Sequence, residues 1–104
     1  MENKMAGTDI QIDEKIKAKI AEPTRWKVVF INDDVTPIDF VISLLIEVFK
    51  HGYDSAKHVT MQVHEQGSGI AGTYSHEIAE AKTTEAVTLS RANGFPLQIK
   101  MEEE

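Results

Sequence analysis

Cysteine is absent from this chain of 104 residues. Its absence excludes a disulfide framework, a thiolate zinc site and a cysteine nucleophile, and it fits a reducing compartment. Apolar runs of membrane-spanning length are missing too. The longest, FVISLLIEVF from Phe40 to Phe49, is interrupted by Glu47 and repeats with helical spacing, so it reads as a buried helix. The eleven Lys and Arg are scattered rather than gathered into a stripe, and the formal net charge is -6. The footprint of a nucleic-acid binder is therefore lacking, and a cationic ligand or partner is favoured. The N-terminus does not show the basic-then-apolar layout of a secretion signal, which makes the cytoplasm the expected location.

What is present is the balance of an ordinary globular protein, 41% hydrophobic and 27% charged, in a length that suits one core. Residues 1–25 mix charges with small side chains and reach Pro23 without an aromatic, and read as a flexible extension preceding a core domain over 26–104. Ile12, Ile16 and Ile20 recur every four residues in it, either as a transient solvated helix or as a stripe offered to a partner.

WKVVFI, Trp26 to Ile31, is aromatic and β-branched and short enough for a strand. Thr36 and Asp39 have capping-box spacing with Pro37 between them, which predicts a helix start at Thr36. Ile38, Val41, Ile42, Leu45, Val48 and Phe49 give that helix an apolar face, and Gly52 is its expected stop. A second helix is expected from Asp54, as cap, through Ala56, Val59, Thr60 and Val63 to Gly67, with His64 in its last turn. GIAGTY, Gly69 to Tyr74, reads as a second strand. A third helix follows from His76 to about Ala92, with Ser75 as cap and Ile78, the Lys82 stem, Ala86 and Leu89 facing inward. Leu97, Ile99 and Met101 then alternate with polar residues as a last strand. The order βααβαβ predicts an α+β sandwich, three helices on one face of a three-stranded antiparallel sheet.

Few residues offer chemistry. HEIAE, His76 to Glu80, lacks the second histidine of a zinc-protease motif, and His51 and His58 flank a turn. The aspartates lack the alternation, glycine and closing Glu of a calcium loop. No serine sits in a nucleophile elbow. No metal, cofactor or catalysis is expected, although a metal-dependent hydrolase using His64 and the aspartates is the enzyme-class alternative. Asn32, Asp33 and Asp34 between strand and helix suit either a self-bonded turn or a site for a cation.

VVFINDDVTPIDFV, followed at matching distances by VHEQG, GTYSHEIAEAK and PLQIKME, closely resembles the ClpS family of N-degron adaptor proteins. The resemblance spans Trp26 to the C-terminus. It implies a monomeric adaptor, not an enzyme, that holds the first residue of proteins starting with Leu, Phe, Tyr or Trp and delivers them to the N-terminal domain of a ClpA- or ClpC-type AAA+ unfoldase coupled to ClpP. Carried over residue by residue, Asn32, Asp33 and His64 would bind the α-amino group, with Asp34 and Thr36 at the rim. Ile38, Val41, Thr60, Val63 and Leu97 would line a hydrophobic pocket, and Glu77 and Lys82 would face the unfoldase. An amine-reading His64 must be neutral while the amine is charged, so binding is expected to weaken at both extremes of pH. Many members carry Met where this chain has Ile38 and Thr60, which implies a pocket with an altered ranking of first residues. A relative that keeps the fold but binds another ligand is the alternative within the binding class.

Overall fold

A computed structural model describes residues 24–104 of the protein. The extension read over residues 1–25, with its isoleucine stripe, lies outside the described residues except for Thr24 and Arg25, and Arg25 already belongs to the first strand. The elements are β1 (Arg25–Ile31), α1 (Ile38–Glu47), α2 (Tyr53–Gln66), β2 (Ser68–Ser75), α3 (His76–Ala92) and β3 (Gln98–Glu103), in the expected order βααβαβ. The sheet runs β2-β1-β3 and is antiparallel throughout. Among the described residues no helix is long and apolar enough to cross a membrane.

β1 is central and carries an apolar run whose Val28, Val29 and Phe30 are all buried. Val28 and Phe30 are fully buried beneath the helices, and Phe30 meets Phe49 edge to face at 5.4 Å between ring centroids. Val41, Leu44 and Leu45 of α1, Val48 and Phe49 just beyond it, and Ala56, Val59 and Val63 of α2 complete the core with Ala71, Ala79, Ala86 and Leu97. The first helix thus buries Leu44 rather than Ile38, which is 40% exposed. On α3 the expected inward Ala86 is buried and Lys82 and Leu89 are half-buried, but Ile78 is 49% exposed, and Ala79 and Ser90 are buried in its place. Small side chains let this helix lie close to the sheet, and that gain in contact outweighs burying one large isoleucine.

Helix ends also differ from the sequence reading. Pro37, not Thr36, is the N-cap of α1, and the Thr36 hydroxyl donates to Asp33 instead of capping the helix. Gly52 caps the start of α2 instead of stopping α1, and Asp54 stands in the first turn without a capping bond. The chain reverses between the two helices at Lys50, which takes a left-handed φ of 61°.

A bulge in β2 joins these pieces. Val28 pairs with Gly72 and Val29 with Ile70, leaving Ala71 unpaired, and its carbonyl accepts a 2.6 Å hydrogen bond from His51 Nε2. Nδ1 of the same ring then accepts from the Ser55 hydroxyl at 2.7 Å. His51 is therefore a half-buried strut and not a solvated turn residue. On the neighbouring face, Lys82 Nζ donates to the Val48 carbonyl at 2.8 Å, where a cation suits the C-terminal end of α1. It also lies 5.4 Å from the centre of the Tyr74 ring.

Tyr74 folds back over Gly72 so closely that a Cβ there would collide with its ring. Gly72→Ala is expected to displace the ring from Lys82 and Phe49 and to cost about 1 to 3 kcal/mol. Urea denaturation checks this, and an unchanged midpoint would mean that the ring swings away freely.

Candidate functional site

The site forms where β1 ends. Ile31 pairs with Ser68, and one residue later the Asn32 amide donates to the Gly67 carbonyl at 2.9 Å. Gly67 closes α2 in a left-handed conformation, φ 93°, and its amide returns to the Val63 carbonyl at 3.0 Å. This register ties Asn32 to the last turn of α2, which carries His64. Two residues 32 positions apart in sequence therefore share one wall of a cavity.

The loop beyond Asn32 is organised by Asp33. Its Oδ1 accepts from the Val35 and Thr36 amides, both at 2.7 Å, and its Oδ2 accepts from the Thr36 hydroxyl at 2.8 Å. Burial by itself would raise the Asp33 carboxyl, but the bonds from Thr36 and Val35, with a pull from the Arg91 guanidinium, outweigh it and hold its pKa below the ordinary carboxylate value. Three of roughly four acceptor sites of an ionised carboxylate are thereby used inside the loop. Asp33 shapes the mouth and adds negative potential, with little capacity left to accept from a ligand.

Because the folded-state pKa is depressed, ionised Asp33 contributes stability that is present above its unfolded value, about 3.9, and is lost as pH falls through the lower folded value. The Val35 and Thr36 amide resonances are therefore expected to hold their native positions at pH 4 and to shift only under more acid conditions. A transition in these resonances at pH 5 would contradict the assignment.

The cavity has a volume of about 200 Å³ and is lined by Asn32, Asp33, Asp34, Thr36, Ile38, Val41, Thr60, Val63, His64 and Leu97. These are all ten residues assigned above to the amine site, the rim and the hydrophobic pocket. Burial sorts them by depth. Asn32, Asp34, Ile38 and His64 are exposed at the mouth, whereas Val41, Thr60, Val63 and Leu97 are buried and make the floor. Such a volume lies below the range of pockets for drug-sized molecules, about 300 to 1,000 Å³, and suits a single side chain. A wider depression of about 530 Å³ lies on the outer face of the sheet among Lys27, Val29, Ile70, Lys100 and Glu102. It is the larger of the two but has no comparable apolar floor beneath a polar mouth.

Sequence reasoning missed Arg91. Its Nη1 donates to the carbonyls of Phe95 at 3.0 Å and Leu97 at 2.8 Å, clamping the segment that inserts Leu97 into the floor. Phe95 is held further by an edge contact with Phe40 at 4.9 Å. The available signal was modest: a basic residue in the last turn of a helix, where it can reach free carbonyls.

Glu77 and Lys82 stand apart from the cavity on α3, Glu77 exposed and Lys82 half-buried with its ammonium on Val48. His76 packs edge-on against Trp26 at 4.9 Å. Among the described residues no three His, Asp or Glu side chains are placed to hold a metal ion.

Residues 21–100 match the family model for the ATP-dependent Clp protease adaptor protein ClpS. The ATP-dependent Clp protease adapter protein ClpS of Campylobacter jejuni strain 81-176 is 41% identical over 88 residues, covering 85% of this chain and 92% of that protein. The Wolinella succinogenes protein of the same name is 36% identical over 97 residues, covering 93% and 95%. A solved structure of Agrobacterium tumefaciens ClpS2 bound to L-phenylalaninamide superposes with a TM-score of 0.77 at 38% identity, covering 80% of this chain and all of that one. With the family model matching most of its length, this chain belongs to the ClpS family of Clp protease adaptor proteins.

Proposed function

We propose that this protein captures the first residue of a substrate protein and delivers it to a Clp AAA+ unfoldase for degradation. One observation carries the reading: an exposed mouth of amide, carboxylate and imidazole groups stands directly over a buried apolar floor, in a space fit for one side chain. An α-ammonium has charge and three donors, and Asn32 and His64 supply acceptors for it within the negative potential of Asp33 and Asp34. Val41, Val63 and Leu97 receive the side chain, with Thr36 and Ile38 at the rim. The phenylalanine derivative bound to the Agrobacterium tumefaciens protein supports a bulky apolar first residue as ligand.

Charge-assisted hydrogen bonds contribute about 1.5 to 3 kcal/mol each. Burying a Leu or Phe side chain contributes roughly 1.5 to 3 kcal/mol. Ordering the peptide and desolvating the mouth offset part of both, so amine and side chain are needed together. The adaptor performs no bond chemistry in this scheme, acts in the cytoplasm as a monomer, and presents Glu77 and the neighbouring surface of α3 around Lys82 to the unfoldase.

The test is fluorescence anisotropy of labelled peptides that differ only in their first residue. Peptides starting with Phe, Leu, Tyr or Trp are expected to bind saturably and those starting with Gly or Asp are not. Equal binding of all six would favour the alternative, a family member with a different ligand, a possibility raised by Ile38 and Thr60 in the pocket.

A further inference from the structure

Of the buried floor residues, Val41, Thr60 and Val63 sit on helices, whereas Leu97 lies outside any helix or strand. The pairing of β3 with β1 begins one residue later, with Gln98 opposite Ile31. Pro96, just before Leu97, has no amide to donate. The backbone here is held by the end of α3. The Phe95 amide donates to the Ser90 carbonyl at 2.9 Å, and Arg91 Nη1 donates to the carbonyls of Phe95 at 3.0 Å and Leu97 at 2.8 Å. Leu97 is nonetheless only 1% exposed, as well buried as the helical residues beside it. Arg91 itself is exposed and stands outside the cavity lining, so it acts on the cavity through the segment it clamps. Its charge is also felt at the Asp33 carboxyl.

Building on the first-residue reading above, we infer that Arg91 is a positioning residue that fixes the depth of the cavity through the Leu97 backbone, and so governs how much a long first side chain gains over a short one. The amine stays at the mouth, so the ammonium contacts are common to every first residue. What differs is how far the side chain descends. A phenylalanine ring reaches further from its Cα than a leucine isobutyl group and lays more of its surface on the floor. Dispersion weakens so steeply that a gap of about 0.5 to 1 Å forfeits roughly a quarter to a half of each contact. Loosening Leu97 therefore costs the ring more than the isobutyl group. The Arg91 charge, by contrast, acts on the ammonium that both ligands share and shifts them equally.

The experiment measures dissociation constants for two peptides that differ only in starting with Phe or Leu. Each is titrated against wild type, Arg91→Met, Leu97→Ala and the double variant, with circular dichroism verifying the fold of each. Methionine keeps an apolar stem at position 91 without donors or charge. Arg91→Met is expected to weaken the Phe peptide about five- to twentyfold and the Leu peptide less than about threefold, within the coupling range of residues in contact. In the Leu97→Ala background the same substitution is expected to weaken the Phe peptide less than about twofold, because the group through which Arg91 acts is already gone. If Leu97→Ala does not fold, the Phe-to-Leu ratio in Arg91→Met decides alone.

Equal weakening of both peptides by Arg91→Met, or no weakening of either, overturns the positioning role. Loss of Phe affinity that simply adds to that of Leu97→Ala overturns it as well, since Arg91 would then not act through Leu97. Failure of both peptides to bind wild type would instead overturn the first-residue reading, and this inference with it.

Discussion

N-acetylation of a Phe-starting peptide is expected to lower its affinity by about a thousandfold or more, since it removes the charge and two donors that the mouth reads. The acetyl group also adds bulk where Asn32, Asp34 and His64 converge. Asn32→Ala and His64→Ala are each expected to weaken the unmodified peptide by roughly ten- to a hundredfold, the equivalent of one charge-assisted bond. Their effects should not add, because both contact the same ammonium group. Anisotropy titrations of free and acetylated peptide check the set, and comparable affinities for the two peptides would remove the amine from the recognition scheme. Asn32 is the sharper of the two variants. Its backbone amide holds the Gly67 carbonyl at 2.9 Å whatever its side chain, so truncation leaves the β1–α2 junction in place.

Phe30→Ala is expected to destabilise the fold by about 3 to 5 kcal/mol, through lost burial and the cavity left behind. Phe30 has 0% exposure, lies on the central strand and carries the edge contact to Phe49. In a domain of this size the loss corresponds to a fall in Tm on the order of 20 °C. It would also act on the site, because Phe30 is two residues from Asn32 and its packing sets the level at which β1 ends. Differential scanning calorimetry measures the first effect. A fall of under 5 °C would mean that Phe49 and Leu45 close over the gap.

The site was legible to the extent that its residues are local. The run Asn32, Asp33, Asp34 announces a polar junction between an apolar strand and an amphipathic helix, and binary patterning brings the three apolar floor residues, Val41, Val63 and Leu97, inside. Their meeting with His64 was not legible from periodicity. It depends on the β1–β2 register and on the left-handed turn at Gly67, both long-range facts, and reached the sequence analysis only through a family resemblance. Thr36 shows the limit of a local rule. Its spacing to Asp39 satisfies the capping pattern, yet its hydroxyl donates to the Asp33 carboxylate at 2.8 Å, and the helix is capped by Pro37 without a side-chain bond.

Ile78 shows the same limit in packing. A large apolar residue in a helix invites the inward assignment, but only the sheet it lies on reveals that alanine and serine fit the narrow gap better. His51, Lys82 and Arg91 belong to this group as well: each donates to a backbone carbonyl, of Ala71, Val48 and Leu97 respectively, and such acceptors carry no mark in the amino-acid string. Element types and order, and the apolar or polar character of each cavity position, follow from side-chain chemistry and short-range periodicity, which are properties of consecutive residues. Helix phase and the closure of the cavity arise from contacts between distant segments. Those contacts are settled by close packing and by competition among hydrogen-bond partners once the chain is folded.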